Sequence, residues 1–122
     1  FIATQDATVH ENVNKAILNA SELDKRIIMR SLTNTERVLN NEAVERLIEK
    51  EKALGDKLTF EDILDEVAGV YPKIMHEGTM DEGAWSCGMV AGLVNDIPTV
   101  QELIDSIMSQ ADEIINNRLQ KL

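Results

Sequence analysis

The stretch "EGAWSCGMVAGLVNDIPTVQELI", residues 82–104, places a lone tryptophan before a run of small residues and a well-specified helix start. The small residues are Ser86, Cys87, Gly88, Ala91 and Gly92. Small residues in series let a backbone approach another element, or a flat ligand, closely. The sequence therefore predicts that this segment passes close to a neighbouring element or to a bound molecule.

A long helix is predicted at the end of this stretch. Thr99 and Glu102 stand at capping-box spacing, so we expect the helix to begin at Val100. Apolar residues then repeat at helical spacing and form one face. The face comprises Val100, Leu103, Ile104, Ile107, Met108, Ala111, Ile114 and Ile115. We expect this face to be buried against a partner layer.

Upstream, the pattern changes between helical and extended segments. Residues 10–20, "HENVNKAILNA", predict a short amphipathic helix, and residues 26–32, "RIIMRSL", predict a strand. A second capping box at Thr33 and Glu36 predicts a helix over 34–53 that ends at Gly55. The predicted apolar face of that helix comprises Leu39, Ala43, Leu47 and Ile48.

Weaker signals complete the pattern. Thr59 and Asp62 predict a further helix start, and a short helical segment near Pro72 is expected to end at Gly78. The first residues, "FIAT", are typical of the last half of a strand. Because isolated short strands cannot satisfy their own edges, the sequence predicts a mostly helical α/β fold that is part of a larger body.

Composition narrows the class of protein. The chain has 122 residues and one cysteine, which excludes an internal disulfide and favours a reducing, cytoplasmic setting. No apolar run approaches the ~18 residues of a membrane span. Residues 62–122 carry 3 Lys or Arg against 11 Asp or Glu. That acidic balance argues against nucleic acid and anionic membrane as partners, because both require clustered cations.

The residues by themselves assign no catalytic group. His10 and His76 lie far apart in sequence, which is no metal-ligand spacing, and we expect no metal site. Cys87 has no basic residue close by in sequence, so we expect a small buried residue rather than a nucleophile. No pair of carboxylates stands out for acid–base chemistry.

Three stretches, taken in order, resemble the C-terminal third of the nitronate monooxygenase family, formerly called 2-nitropropane dioxygenases. They are "FIATQDATVHENVNKAIL", "IIMRSLTNTERVLNNEAVERLIEKE" and "EGAWSCGMVAGLVNDIPTVQELIDSIMSQADEII". The most specific parts are "WSCG" followed by "GLVNDIPTVQELI", and the arginine–asparagine pattern of residues 37–41. The resemblance covers nearly the whole chain.

The resemblance implies an FMN-dependent β/α (TIM) barrel with a small inserted α/β domain. Residues 1–8 would form the end of the last barrel strand and the loop that follows it, and residues 9–77 would form the insert. Residues 78–122 would return to the barrel, with the segment near the active site and the final barrel helix. The whole enzyme would oxidise small alkyl nitronates with O₂ to a carbonyl compound and nitrite. The family's catalytic base and phosphate-binding glycine turns would lie upstream of Phe1, so this chain alone is expected to be inactive.

The resemblance also implies a candidate site. Ser86, Gly88 and Met89 would lie near the flavin, with Trp85 as an anchor, and the family commonly has glutamine where this chain has Met89. Close packing of helix on barrel is the alternative reading of the same small residues. Flavin-dependent enoyl-acyl-carrier-protein reductases and NAD(P)H:quinone reductases have a similar tail and stay open, as does a homo-oligomer. A hypothesis of another class is a non-catalytic helical module that binds a partner.

Overall fold

The computed structural model describes residues 1–121 and has a mixed α/β fold. Helix α1, Glu11–Asn19, confirms the first predicted helix. The N-cap is His10, whose Nδ1 accepts a hydrogen bond from the Asn12 N–H at 3.2 Å and satisfies one of the free donors of the first turn. Val13 and Ile17 are buried, so the face of α1 that carries them packs in the core.

Two antiparallel strands follow α1. Strand β1, Lys25–Ile28, pairs with β2, Glu36–Leu39, with Lys25 opposite Leu39. The predicted strand over 26–32 is therefore correct in type but ends at Ile28, because Met29 adopts a left-handed conformation with φ of 57°. On the other edge of β2, Ser86 forms a bridge with Val38.

The predicted helix over 34–53 is wrong in its first third. Residues 36–39 form β2, and helix α2 spans Glu42–Leu54, so Leu39 lies on a strand. Extended pairing on both edges of β2 outweighs the local capping signal at Thr33 and Glu36, since it satisfies the backbone groups of this segment. The predicted end at Gly55 is confirmed as the C-cap of α2.

Asn41 sets the true start of α2. Its Oδ1 accepts a hydrogen bond from the Val44 N–H at 2.9 Å, which is an N-cap contact. Its Nδ2 donates to the carbonyl oxygens of Met80 at 2.7 Å and Gly83 at 2.8 Å. One amide side chain thus ties the beginning of α2 to the loop that leads into Trp85.

Short helical segments connect α2 to the return of the chain. They are the 3₁₀ turns Gly55–Lys57 and Glu61–Ile63, the helices α3, Leu64–Val67, and α4, Val70–Pro72, and the π-helical turn Lys73–Glu77. Asp62 Oδ2 accepts from both the N–H and the hydroxyl of Thr59 at 2.8 Å. The helix start predicted at Thr59 is only partly correct, because the segment begins as a 3₁₀ turn with Phe60 as N-cap and no side-chain cap, and continues as α3. The segment containing Pro72 ends at Gly78, as predicted.

Helix α5, Val100–Asn117, begins as predicted and is followed by a 3₁₀ turn, Leu119–Lys121. Glu102 Oε2 accepts from the Thr99 N–H at 2.8 Å, and the Thr99 hydroxyl accepts from the Glu102 N–H at 3.2 Å. The hydrogen bonds from the Thr99 backbone and side chain lower the pKa of Glu102. None of the helices in residues 1–121 combines the length and apolar character of a membrane span.

The described residues do not cover the apolar face of α5, since no residue of α5 is buried. That a partner layer from a larger body covers this face stays a prediction. One expectation about the ends of the chain differs from the structure. The expected strand in "FIAT" is absent, because no strand of residues 1–121 pairs with this segment. The first residues instead hold the start of α5. The Gln5 N–H donates to the Pro98 carbonyl at 2.9 Å, and Asp6 Oδ2 accepts from the Val100 N–H at 2.7 Å.

The core divides into two hydrophobic clusters. The first lies between the strands and α2, and comprises Ile28, Met29, Val38, Val44, Leu47, Leu58, Ile63 and Ala84. The second surrounds Trp85, and comprises Val13, Ile17, Leu39, Val70, Ile74 and Trp85. Ala84 and Trp85 are consecutive and enter different clusters, so the segment 84–87 joins the two.

Leu47→Ala is expected to lower the free energy of unfolding by about 2–5 kcal/mol, the range for a buried leucine truncated to alanine. Leu47 is fully buried, in agreement with the predicted apolar face of α2. Leu54→Ala in the same helix is the matched control, because Leu54 is 38% exposed. Urea unfolding of the 122-residue chain at fixed protein concentration measures both. Equal losses for the two variants would contradict the assignment of Leu47 to the core.

Candidate ligand-binding site

Residues 85–88 border an apolar cavity of about 190 Å³. Ser86 and Gly88 both line it, so the structure brings together two of the three predicted site residues. Met89 is not among the lining residues, and its side chain is 72% exposed. The remaining walls come from the first residues of the chain, from α1 and from the segment after Met89. They are Phe1, Ile2, Ala3, Ile17, Val90, Ala91 and Val94, with Trp85 and Cys87.

The glycines of this segment serve two different purposes. Gly92 has φ of 96°, and a Cβ at this position would meet the backbone of Ser21 and Glu22, so this glycine allows two segments of the chain to pack closely. A Cβ at Gly88 would meet nothing within 4 Å. Close packing against Ser21 and Glu22 therefore accounts for the glycine at position 92. No described residue occupies the space beside Gly88.

The hydroxyl of Ser86 lies in a hydrogen-bonded cluster with Tyr71 and Glu36. Tyr71 Oη is 2.7 Å from Ser86 Oγ, and the Ser86 N–H donates to Tyr71 Oη at 2.9 Å. Ser86 Oγ also contacts Glu36 Oε1. Tyr71 comes from α4, Glu36 from β2 and Ser86 from the segment paired with β2, so three separate elements fix this hydroxyl.

Cys87 is partly buried beside Ser86 and lines the same cavity. Burial raises the pKa of the Cys87 thiol, while the positive charge of Lys25 opposes that shift more weakly. The neutral thiol therefore predominates at neutral pH, and a neutral thiol is a poor nucleophile. This agrees with the sequence-based interpretation of Cys87 as a packing residue.

Lys25 holds the loop after Gly88. Its Nζ donates to the carbonyl oxygens of Met89 and Ala91, each at 2.8 Å. The same loop is closed by two backbone hydrogen bonds, from the Ala91 N–H to the Gly88 oxygen and from the Leu93 N–H to the Val90 oxygen. An ammonium group that donates to two carbonyls fixes the course of the backbone beside the cavity.

Lys25→Met is expected to increase amide hydrogen exchange in residues 88–93. Loss of the two charge-assisted hydrogen bonds should lower the local stability of this partly exposed loop by about 1–2 kcal/mol, which corresponds to roughly 5- to 30-fold faster exchange. Lys15→Met is the control, since Lys15 is exposed and pairs with Glu11 on the surface of α1. Exchange rates that stay unchanged in Lys25→Met, or that rise equally in Lys15→Met, would contradict this role.

Neither His10 nor His76 lines the cavity. His10 caps α1, and His76 is exposed in the π-helical turn. Within residues 1–121, no three His, Cys, Asp or Glu side chains stand close enough together to hold a metal ion.

Sequence reasoning missed Tyr71 and Glu36, which hydrogen-bond to Ser86, and Lys25, which holds the loop after Gly88. Glu36 is 50 positions from Ser86 in sequence, and Lys25 is 64 positions from Met89. No short-range pattern connects residues so far apart. The one available signal is Tyr71 itself, the single tyrosine in the chain.

A family model described as "Nitronate monooxygenase" matches residues 1–110. A solved structure of FabK from Thermotoga maritima is similar with a TM-score of 0.85 and 21% identity, over 99% of this chain and 37% of that chain. A point mutant of the same FabK gives a TM-score of 0.78 and 20% identity, over 100% of this chain and 35% of that chain. The chain thus spans about a third of the solved structures that it matches, and shares their fold over that part.

Proposed function

The chain belongs to the nitronate monooxygenase family, and from that premise we propose that the protein containing it is an FMN-dependent oxidoreductase that oxidises alkyl nitronates. In this reaction the carbon–nitrogen double bond of the nitronate is replaced by a carbon–oxygen double bond. Two nitronates and one O₂ give two carbonyl compounds and two nitrite ions, so each carbonyl takes one oxygen atom and the nitrogen leaves as nitrite. The bound flavin would accept electrons from the anionic substrate.

The chain would form the C-terminal third of a β/α barrel enzyme. In this proposal residues 1–8 follow the last barrel strand, residues 9–77 form the inserted domain, and residues 78–122 return to the barrel. The similarity to 35–37% of the FabK chains supports a chain of this extent. The exposed apolar face of α5 fits the same proposal, because a barrel helix needs a sheet to cover it.

The observation that carries the proposal is the open apolar space beside Gly88, in the segment that resembles the family most specifically. The cavity has apolar walls, and no atom lies within 4 Å of the position that a Cβ of Gly88 would take. The edge of a flat ring would fit in this space. No Lys or Arg lies between Lys73 and Arg118, so this segment offers no cationic side chain to a phosphate. Residues 85–88 would therefore face the flavin ring or a substrate bound on it, while other parts of the protein hold the phosphate.

The chain's own residues would shape this wall of the site. Trp85 anchors the segment in the core, and Lys25 fixes the loop that follows Gly88. Ser86 is the one hydroxyl-bearing residue among those that line the cavity. These residues would bind and orient a small molecule and exclude water from its apolar part. The proton-abstracting group would come from outside residues 1–121.

A second candidate is a flavin-dependent reductase of the same superfamily that acts on an enoyl thioester. The similarity of the fold to FabK along the whole chain favours retaining this candidate. The two reactions make opposite demands on the enzyme, since nitronate oxidation consumes O₂ and releases nitrite, whereas enoyl reduction consumes a reduced nicotinamide. Product analysis therefore separates them.

The test is purification of the complete protein, followed by an absorbance spectrum before and after reconstitution with FMN. Turnover is then measured with an alkyl nitronate, an enoyl thioester and a quinone. We expect a bound flavin and release of nitrite from the nitronate. Failure to bind flavin after reconstitution would overturn the proposal and favour a non-catalytic module, while faster turnover of the enoyl thioester would favour the second candidate.

A further inference from the structure

The cavity beside Gly88 has a buried inner end and an exposed mouth. Two of its lining residues, Ile17 and Trp85, are buried and belong to the second core cluster. Further lining residues are partly buried and pack against that cluster; they are Ala3, Cys87 and Val94. The mouth is formed by exposed apolar residues, namely Phe1, Ile2 and Val90. The cavity therefore leads from the surface to the edge of the packed core.

The lining of the cavity suits an apolar group. None of the described residues that line it is charged, so an anion placed inside would lose its hydration without gaining a counter-ion. Apolar walls also offer water few hydrogen-bond partners, so a hydrocarbon group displaces water at little cost. An apolar cavity of about 150 Å³ is sufficient for benzene, so the volume of about 190 Å³ here has room for about six to eight carbons.

Helix α1 contributes one residue, Ile17, to the wall of this cavity. The other lining residues belong to the first three positions of the chain and to the segment 85–94. Val13 lies on the same buried face of α1 and in the same core cluster, but it does not line the cavity. Ile17 is thus the residue of α1 at which the cavity meets the packed core.

We propose that this cavity binds the hydrocarbon chain of the substrate and that Ile17 limits the length of that chain. The inference deepens the proposed function, on which it rests in assigning the substrate to this part of the protein. The occupant follows from the continuity of the space, because Gly88 lines the cavity and also borders the open space assigned to the flavin or its substrate. The nitronate group lies at the Gly88 end, and the chain extends from there toward Ile17.

The proposal divides the work of the enzyme between two parts of the chain. Ile17 is the one cavity-lining residue within residues 9–77, the proposed inserted domain. The inserted domain then determines which substrates are accepted, while the barrel holds the flavin. A change at Ile17 should consequently alter the preference for chain length and leave flavin binding intact.

Linear carboxylates from butanoate to dodecanoate test the length limit. A carboxylate resembles a nitronate, since both spread one negative charge over two oxygens on a single atom. Isothermal titration of the purified complete protein gives a dissociation constant for each carboxylate. Affinity should rise about 4-fold for each methylene group that enters the cavity, which corresponds to the burial of one CH₂. The rise should stop when the hydrocarbon chain reaches about six to eight carbons.

Two variants of Ile17 enlarge the cavity by different amounts. Ile17→Val removes one carbon from its wall and Ile17→Ala removes three, so the length at which affinity stops rising should increase by about one carbon and about three carbons. Val13→Ala is the matched control, because it truncates a buried residue of the same helix that does not line the cavity. It should lower the thermal stability and leave the length limit unchanged. Ile17→Val also guards against misfolding of Ile17→Ala, since it costs less stability.

Several results would overturn the inference. They are undetectable binding of every carboxylate, an affinity that does not depend on chain length, a length limit that stays the same in every Ile17 variant that folds, and an equal increase of the limit in Val13→Ala. A protein without flavin whose length limit depends on Ile17 would refute only the proposed function. A nitronate-oxidising flavoprotein whose length limit ignores Ile17 would refute only this inference.

Discussion

Trp85→Ala is expected to lower the free energy of unfolding by about 3–5 kcal/mol, the range for a buried aromatic side chain truncated to alanine. Trp85 is 2% exposed and packs in the second core cluster with residues of α1 and the π-helical turn. The preceding residue, Ala84, packs in the first cluster. Loss of the indole therefore leaves a cavity at the junction of the two clusters, where neither can close it without moving the other.

Phe60→Ala is the matched control for this prediction. Phe60 is also aromatic but is 45% exposed, so its truncation should cost less than about 1 kcal/mol. Urea unfolding of the 122-residue chain, followed by far-ultraviolet circular dichroism, measures both variants. Similar losses in the two variants would show that Trp85 does not join the clusters.

The helices that the sequence predicts correctly are those whose signals are local. At α5, the Thr99 and Glu102 side chains cap the helix that contains them, and the apolar period follows directly. At α1, the N-cap and the apolar face lie within ten consecutive residues. Such contacts connect residues three or four positions apart, so they are readable without knowledge of the fold.

Strand β2 shows why elements that depend on contacts distant in sequence could not be predicted. Its apolar residues Val38 and Leu39 stand one helical turn before those of α2, so the helical period runs through the strand without a break. The structure separates the two at Asn41, whose amide bonds to carbonyls 39 and 42 positions away. The strand also depends on Ser86 and on the Cys87 N–H, which donates to the Arg37 carbonyl at 3.0 Å.

The candidate site was likewise predictable from the sequence only in part. The small residues from Ser86 to Gly92 identify a segment of close approach, and the structure confirms that approach at Gly92. The placement of Ser86 and Gly88 beside a flavin stays a prediction. The partners that give Ser86 its chemical character, Tyr71 and Glu36, reach it only through the tertiary fold. Local sequence thus locates the segment, and long-range packing determines what its side chains can do.

The 122-residue chain on its own is expected to form soluble oligomers. The apolar face of α5 is exposed along several turns, with Ile104, Ile107 and Met108 at 42%, 51% and 58% exposure. Contiguous apolar surface of this kind drives association, since burial stabilises by about 25 cal/mol per Å². The net charge of −10 should limit precipitation. Size-exclusion chromatography with light scattering measures the mass of the species in solution.

A pair of charge substitutions on α5 tests this association. Ile107→Glu places a carboxylate in the centre of the apolar face and should yield the 13.6 kDa monomer. Ser109→Glu adds the same charge to the opposite face of the helix and should leave the oligomer intact. A wild-type chain that elutes as a monomer, or two variants that behave alike, would contradict a role for this face.

The same chain is expected not to bind FMN, in either the oligomeric wild type or the Ile107→Glu variant. A phosphate binds at backbone N–H groups or cationic side chains, and side chains already accept from two N–H groups at the start of each of α5 and α2. Asp6 and Thr99 accept the first N–H groups of α5, while Asp81 and Asn41 accept those of α2. The acidic residues Asp6 and Asp81 would also repel a phosphate at both positions. Flavin fluorescence titration measures the affinity. A monomer that binds FMN at micromolar concentration would show that these residues hold the cofactor without the rest of a barrel.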